Sequence, residues 1–199
     1  MMPCTDTPQP HVLYLALGTN LGDKQSNLLR ALDLIGRCVG QVCRISSFMC
    51  TEPWGFSSDN AFLNAACMVH TSLTPLQCLE RTQQIERQMG RTLKSVDGHY
   101  HDRIIDIDLL VYDRLRLSTP QLTLPHPLMM EREFVTRPLS EVMSGEEFAR
   151  LALFVQHAAS ASGARCDARC SALHEPSHRS GDDEAESTSH KRTADNHSF

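Results

Sequence analysis

The spacing of apolar positions along the chain switches between a period of two and a period near 3.6. Residues 11–17, carrying Val12, Leu13, Tyr14, Leu15 and Leu17, predict a first strand, ended by the turn-rich Gly18-Thr19-Asn20-Leu21-Gly22-Asp23. Leu28, Ala31, Leu32 and Ile35 then recur at i, i+3, i+4 and i+7, the stripe of one helix face. Residues 41–49 and 61–71 are rich in β-branched and aromatic side chains and predict two more strands, joined through Pro53-Trp54-Gly55. Thr74-Pro75-Leu76-Gln77 has the form of a helix start, with an N-cap threonine, proline at the first helical position and glutamine placed to close a capping box. That helix is predicted to reach Met89 and stop at Gly90. A fourth strand lies around Asp106 and Asp108. The order over 12–112 is β-α-β-β-α-β, which predicts an α+β fold of the ferredoxin-like sandwich type. Further C-terminal helices are predicted over 128–142 and 146–156, the latter with Phe148, Leu151 and Val155 on one face.

The chemistry concentrates in Arg103-Ile104-Ile105-Asp106-Ile107-Asp108-Leu109-Leu110-Val111, where two carboxylates interrupt an apolar run. Alternation along a strand points Asp106 and Asp108 the same way, roughly 6–7 Å apart, with Ile105, Ile107, Leu109 and Val111 on the other face. Two like charges so placed repel unless a cation lies between them. Hard oxygen ligands suit Mg2+, which takes one or two carboxylates and leaves its other positions for substrate phosphates. An isolated Asp-x-Asp more often marks a solvated strand edge. Here the preceding 14 residues, 90–103, hold Arg91, Lys94 and Arg103 with two glycines and little apolar material. A cationic loop beside paired carboxylates is what a triphosphate with its metal needs.

Composition narrows the class without deciding it. The chain has 199 residues, 41% hydrophobic and 22% charged, enough for one domain with a sizeable core. A net charge of −5 excludes a general nucleic-acid binder, which carries a basic surplus. No long apolar run or basic leader is present, which predicts neither a membrane span nor a signal peptide and makes the cytosol the expected compartment. Cys38, Cys43, Cys50, Cys67 and Cys78 sit in or beside apolar-patterned elements without paired spacing, and are expected to be buried free thiols. From Ser160 onward Leu173 and Phe199 are the only large apolar residues, which predicts a disordered tail over 160–199. Within it Cys166, Cys170, His174 and His178 recur every four residues, as zinc ligands on one helix face would, although Pro176 interrupts such a helix.

With these landmarks assembled, the stretch from Tyr14 to Val142 resembles the 6-hydroxymethyl-7,8-dihydropterin pyrophosphokinase family of folate biosynthesis. The resemblance rests on motifs that occur in register. They are Leu17-Gly18-Thr19-Asn20-Leu21-Gly22, Thr51-Glu52-Pro53-Trp54-Gly55, Phe62-Leu63-Asn64-Ala65-Ala66, Gln83 and Glu86 ahead of Gly90-Arg91, Arg103-x-x-Asp106-x-Asp108, and Leu124-Pro125-His126-Pro127. It implies a catalytic domain over 1–159 that transfers a pyrophosphoryl group from ATP, the co-substrate, to the pterin hydroxymethyl oxygen. AMP is released and two Mg2+ ions assist.

The resemblance also implies roles. Asp106 and Asp108 hold the metals, and Arg91 and Arg103 clamp the phosphates. ATP contacts fall to Leu79, Gln83, Glu86, Leu109, Leu122, Thr123, His126 and Arg132. The pterin contacts fall to Thr51, Glu52, Trp54, Phe62, Asn64, Tyr100, Asp106 and Phe134. Leu79, Phe62 and Phe134 have core packing as their plainer reading, and His126 that of a turn histidine. The chain departs from the family at His101-Asp102, where Gly-Pro is common, at Tyr100, where tryptophan is common, and at Glu52, where proline is common. The loops around 41–55 and 90–103 are expected to close over substrate. The implied partners are small molecules only, with no nucleic acid and no membrane, and the chain is expected to act as a monomer. Two other readings use the same strand: a nucleotidyltransferase with an Asp-x-Asp palm, and a non-catalytic ligand-binding module. For the tail, low complexity is the simpler account. It predicts that changing Cys166 and Cys170 to Ser leaves the zinc content of the purified protein unchanged, and loss of bound zinc would establish the metal site instead.

Overall fold

The computed structural model describes residues 10–53, 60–90 and 102–163, with side chains through 155. All belong to one compact unit, Met1–Gly163. Strand β1 (His11–Thr19) leads into helix α1 (Lys24–Cys38), followed by β2 (Gln41–Ile45), β3 (Met49–Thr51), β4 (Phe62–Thr71), α2 (Pro75–Gln88) and β5 (Asp106–Tyr112). A small hairpin of β6 (Leu117–Ser118) and β7 (Thr123–Leu124), a single 3-10 turn over Met129–Glu131, and helices α3 (Glu133–Val142) and α4 (Gly145–Gly163) complete it. The main sheet runs β2-β4-β1-β5, with β3 also paired to β4, and every pair is antiparallel. Helices around an antiparallel sheet make the fold α+β.

Local chemistry sets the helix ends. Asp23 caps α1 by accepting from the Ser26 N–H at 3.0 Å. Both halves of the Thr74/Gln77 capping box form at the start of α2, and Gly90, at φ +99°, takes the left-handed turn after its end. The stripe Leu28, Ala31, Leu32, Ile35 is the buried face of α1, as its spacing predicts. It packs with Leu13, Leu15 and Leu17 of β1, Cys67 and Val69 of β4, Ile85 of α2, and Ile107 and Leu109 of β5. The opposite face of the sheet, with Tyr14, Ala66, Met68, Leu110 and Val111, is covered by Val135, Leu139 and Val142 of α3 and Leu151 of α4. Both faces are therefore occupied, and the site has to lie where α3 and α4 stop.

Several expectations are corrected. Val111 does not share a face with Ile105, Ile107 and Leu109: the β1–β5 register slips between Tyr14 and Leu15, so that Leu15 opposes Leu109 while Tyr14 opposes Val111. The extra residue turns Val111 onto the α3 side. The strand expected over 41–49 ends at Ile45. At the break the Ser46 N–H donates to the Ala66 carbonyl and the Ser46 hydroxyl accepts the Ala66 N–H, both at 2.9 Å, so a side chain replaces one ladder partner. Ser47 then turns outward to the Glu141 carboxylate. The helix expected over 128–142 is divided at Arg132, whose extended backbone (φ −110°, ψ 108°) separates the 3-10 turn from α3. Helix α4 continues to Gly163, past the end expected at 156. Cys67 and Cys78 are buried free thiols, but Cys38, Cys43 and Cys50 are exposed. Cys43 lies on the edge strand β2 and Cys50 alternates outward on β3, where neither is covered by a second layer.

Two glycines near the α1–β2 turn give opposite predictions. A Cβ at Gly40 would lie 2.2 Å from the His70 carbonyl oxygen, whereas one at Gly36 meets only Val42 at 4.0 Å. Gly40→Ala is expected to cost more than about 2 kcal/mol in urea unfolding. Gly36→Ala, in the helix, is expected to add up to about 1 kcal/mol. The same sign for both would contradict this packing.

Candidate active site

Pairing across β5, β1 and β4 decides which side chains share the end of the α3 face beyond α3 and α4. Gly18 sits between Asp106 on one side and Asn64 on the other, and Ala16 sits between Asp108 and Ala66. Small residues in the central strand leave the polar groups of its neighbours room to converge. A Cβ on Gly18 would stand 3.1 Å from Asn64 Oδ1, closer than most such contacts. The Asn64 side chain is 5% exposed and its Nδ2 donates to Thr51 Oγ1 at 2.8 Å, across the β3–β4 pairing. Phe62, 7% exposed, lies at the start of the same strand.

Around this centre stand the charged groups. Arg103 Nη1 pairs with Asp106 Oδ2 at 2.8 Å, and the guanidinium lies 5.4 Å from the centroid of the Phe62 ring. The backbone of Arg103 is held by Asn20, whose Oδ1 accepts the Arg103 N–H at 2.8 Å and whose own N–H donates to the Arg103 carbonyl at 3.1 Å. Glu86 reaches from α2 to accept the Ile107 N–H at 2.8 Å, between the two aspartates. Burial pushes the Asp108 carboxyl up to about 7, reinforced by Asp106 and Glu86 and opposed by Arg103 and Arg132. Burial also holds His126 below its ordinary range, helped by Arg132 and opposed by Asp106. The Leu128 N–H points at His126 Nδ1 at 3.4 Å, which leaves the ring proton on Nε2. Arg132 is buried at the head of α3, with its guanidinium 5.9 Å from the Phe134 ring centroid.

The structure thus brings Arg103, Asp106, Asp108, Glu86, His126 and Arg132 into one electrostatic cluster, and Thr51, Phe62 and Asn64 beside it. Leu79 and Gln83 are half-buried on the ridge of α2 that ends in Glu86. The Leu109 and Leu122 side chains belong to the helix-side core, while Thr123 and Glu52 are exposed. Trp54, Arg91 and Tyr100 lie outside the described residues, as do Cys166, Cys170, His174 and His178. Sequence reasoning did not assign Asn20 to the site. Its signal was a polar residue directly after an apolar strand, and it is 2% exposed in the structure. A separate concavity of about 650 Å³, lined by Val12, Tyr14, Val111, Met143, Leu151 and Phe154 among others, shares no residue with this cluster.

A family profile described as 7,8-dihydro-6-hydroxymethylpterin-pyrophosphokinase (HPPK) matches residues 14–144. The chain belongs to the HPPK family. A 2-amino-4-hydroxy-6-hydroxymethyldihydropteridine pyrophosphokinase of Porphyromonas gingivalis is 48% identical over 132 residues, 66% of this chain and 90% of that protein. The Bacillus subtilis protein of the same name is 40% identical over 133 residues, 66% of this chain and 78% of its own length. A folic acid synthesis protein of Dictyostelium discoideum matches at 40% identity over 134 residues, 66% of this chain but 20% of that protein. Among solved structures, an HPPK-DHPS in complex with substrates superposes with a TM-score of 0.53 at 14% identity, covering 79% of this chain and 45% of that one. That likeness is one of fold.

The donor set fits the Mg2+ that pyrophosphoryl transfer from ATP calls for. Asp106 and Asp108 offer hard oxygens on one face, and among the described residues no group of three or more His, Cys, Asp or Glu closes a cage around them. A cation held by these two carboxylates would draw its remaining ligands from substrate phosphates and water. Because Asp108 holds its proton more tightly in the fold than in the unfolded chain, its own contribution to the stability of the metal-free protein falls as pH rises from the ordinary 3.8 to about 7 and then levels. Metal binding has to displace that proton. Apparent Mg2+ affinity, measured by calorimetry, is therefore expected to be about tenfold weaker one pH unit below the Asp108 midpoint than well above it. A pH-independent affinity would contradict the assignment.

Proposed function

We propose that the protein is the ATP-dependent pyrophosphokinase of folate biosynthesis, acting on 6-hydroxymethyl-7,8-dihydropterin. The pterin hydroxymethyl oxygen attacks the β-phosphorus of ATP, the bond from that phosphorus to the oxygen bridging to the α-phosphorus breaks, AMP leaves, and the hydroxyl proton passes to solvent. The observation that carries the reading is the juxtaposition of a same-face carboxylate pair, one member ion-paired to Arg103, with a buried amide and an aromatic ring on one sheet face.

Each group has a task in that chemistry. In-line displacement at phosphorus asks for alignment and charge neutralisation more than covalent help. Arg103 stands at the carboxylate pair and Arg132 at the head of α3, so planar cationic donors face the phosphates from two elements. His126, neutral with its proton on Nε2, supplies a further donor. Asn64, fixed by Thr51, presents its remaining amide functions to the donor and acceptor edge of a pterin, and Phe62 lies against the flat ring. The Leu79, Gln83 and Glu86 ridge, with the backbone at Leu109, Leu122 and Thr123, forms the nucleotide side. When bound at Asp106 and Asp108, two Mg2+ ions supply charge neutralisation at the transferring group. Arg91, Trp54, Tyr100, Glu52 and Phe134 complete the reading on resemblance. The catalytic part is taken as residues 1–159, working as a cytosolic monomer. The sheet order, with α1 and α2 together on one face, supports the ferredoxin-like description of the fold.

The test is incubation with ATP, Mg2+ and the dihydropterin, followed by chromatography of the nucleotides. AMP is expected in stoichiometric amount and only with pterin present. Asp106→Ala and Asp108→Ala are each expected to lower turnover at least about a hundredfold with cooperative unfolding retained. Release of ADP or of pyrophosphate would replace the reading with phosphoryl or nucleotidyl transfer. Wild-type turnover in either variant would remove the metal assignment.

A further inference from the structure

Asp102 has no role in the site as derived so far, yet it lies directly before the arginine that clamps the carboxylate pair. Its Oδ1 accepts from Asn20 Nδ2 and its Oδ2 from Asn60 Nδ2, both at 2.7 Å. Asn20 Nδ2 also lies 3.5 Å from the Asn60 carbonyl. These contacts join three places far apart in sequence: the end of β1, the approach to β4 and the approach to β5. They form just beyond Gly18 and Asp106, the last paired residues of the β1–β5 ladder.

The charge of Asp102 gives the knot its direction. An ionised carboxylate only accepts, so it fixes which end of the Asn20 amide faces it. With Nδ2 committed to Asp102, Oδ1 faces the Arg103 N–H, the 2.8 Å contact described above. The reverse amide orientation would set two donors against each other in a place where Asn20 is 2% exposed. The Arg103 side chain itself is 14% exposed and reaches both Asp106 and Phe62. A guanidinium serving two neighbours has little tolerance for a shift of its own backbone.

We propose that Asp102 is a positioning residue for Arg103: by locking the Asn20 amide it holds the arginine backbone where the guanidinium meets the Asp106 carboxylate and the Phe62 ring. The kinetic half of this rests on the pyrophosphokinase reading. Ground-state binding is spread over many groups, whereas the arginine matters most as charge develops on the transferring phosphate, so the effect falls on kcat.

The experiment compares Asp102→Ala, Asp102→Asn, Arg103→Ala and the Asp102→Ala/Arg103→Ala double variant in the AMP assay. Asp102→Ala is expected to lower kcat about tenfold while KM for ATP and for pterin stays within about threefold. Asp102→Asn, which keeps the shape and one acceptor oxygen, falls between it and the wild type. In the Arg103→Ala background the same change is expected to cost nothing more, because its effect passes through the arginine. An unchanged kcat in Asp102→Ala, or an equal loss in both backgrounds, overturns the proposal. Hydrogen exchange at the Arg103 amide, followed by NMR, reads positioning without turnover. It is expected to be at least about tenfold faster in Asp102→Ala and faster in Asp102→Asn than in the wild type. Equal protection in all three overturns positioning even if the wild type proves to have another activity, and absence of AMP with altered exchange overturns only the activity.

Discussion

Two carboxylates facing the same way from an otherwise apolar strand are the feature around which the site is organised. The fold pays a penalty for keeping them together, visible in the upward push on Asp108 by burial and by its neighbours Asp106 and Glu86. Arg103 relieves part of it through the ion pair with Asp106, and Arg132 adds its charge from the head of α3. A cation bound with a polyphosphate would relieve the rest. On the proposed reading, the repulsion left unrelieved in the resting protein would favour binding of a metal-nucleotide complex, a pattern in which function resides where stability was not maximised.

That arrangement depends on an unequal division of the sheet. Helices α1 and α2 seal one face completely, with Leu13, Leu15, Leu28 and Ile35 at 0% exposure. On the other face α3 and α4 cover only the end of the strands that carries Tyr14, Met68 and Val111. The bulge in β5 serves the division: Asp106 and Asp108 stay in alternation opposite Gly18 and Ala16, while Val111 is turned into the core on the face that carries α3 and α4. One inserted residue lets a single strand carry a polar site at one end and an apolar core at the other.

Much of this was legible in the sequence because it is local. The α1 stripe, the Thr74/Gln77 capping box, the Gly90 stop and the same-face placement of Asp106 and Asp108 follow from spacing and turn chemistry over a few residues. What was not legible depends on partners far away in the chain. The bulge at β5 exists only in the register against β1. The break after Ile45 comes from Ser46 bonding to Ala66, the division at Arg132 places an arginine in the site, and the exposure of Cys43 follows from the edge position of β2. The contacts of Asn20 and Asp102 span 82 residues, and no local pattern announces such a pair. The motifs named the family's positions; they did not reveal which polar groups hold those positions in place.

The carboxylate pair is unfavourable for the empty fold and, on the proposed reading, necessary for the loaded one, and a neutral isostere separates the two effects. The most direct measurement is the thermal melting of Asp108→Asn beside the wild type at a pH above the Asp108 midpoint, with and without Mg2+ and a non-hydrolysable ATP analogue. The variant is expected to melt higher than the wild type when empty and to show no rise with the metal-nucleotide complex, while the wild type rises. A variant that melts lower when empty, or one that gains as much from the complex as the wild type, would contradict that reading.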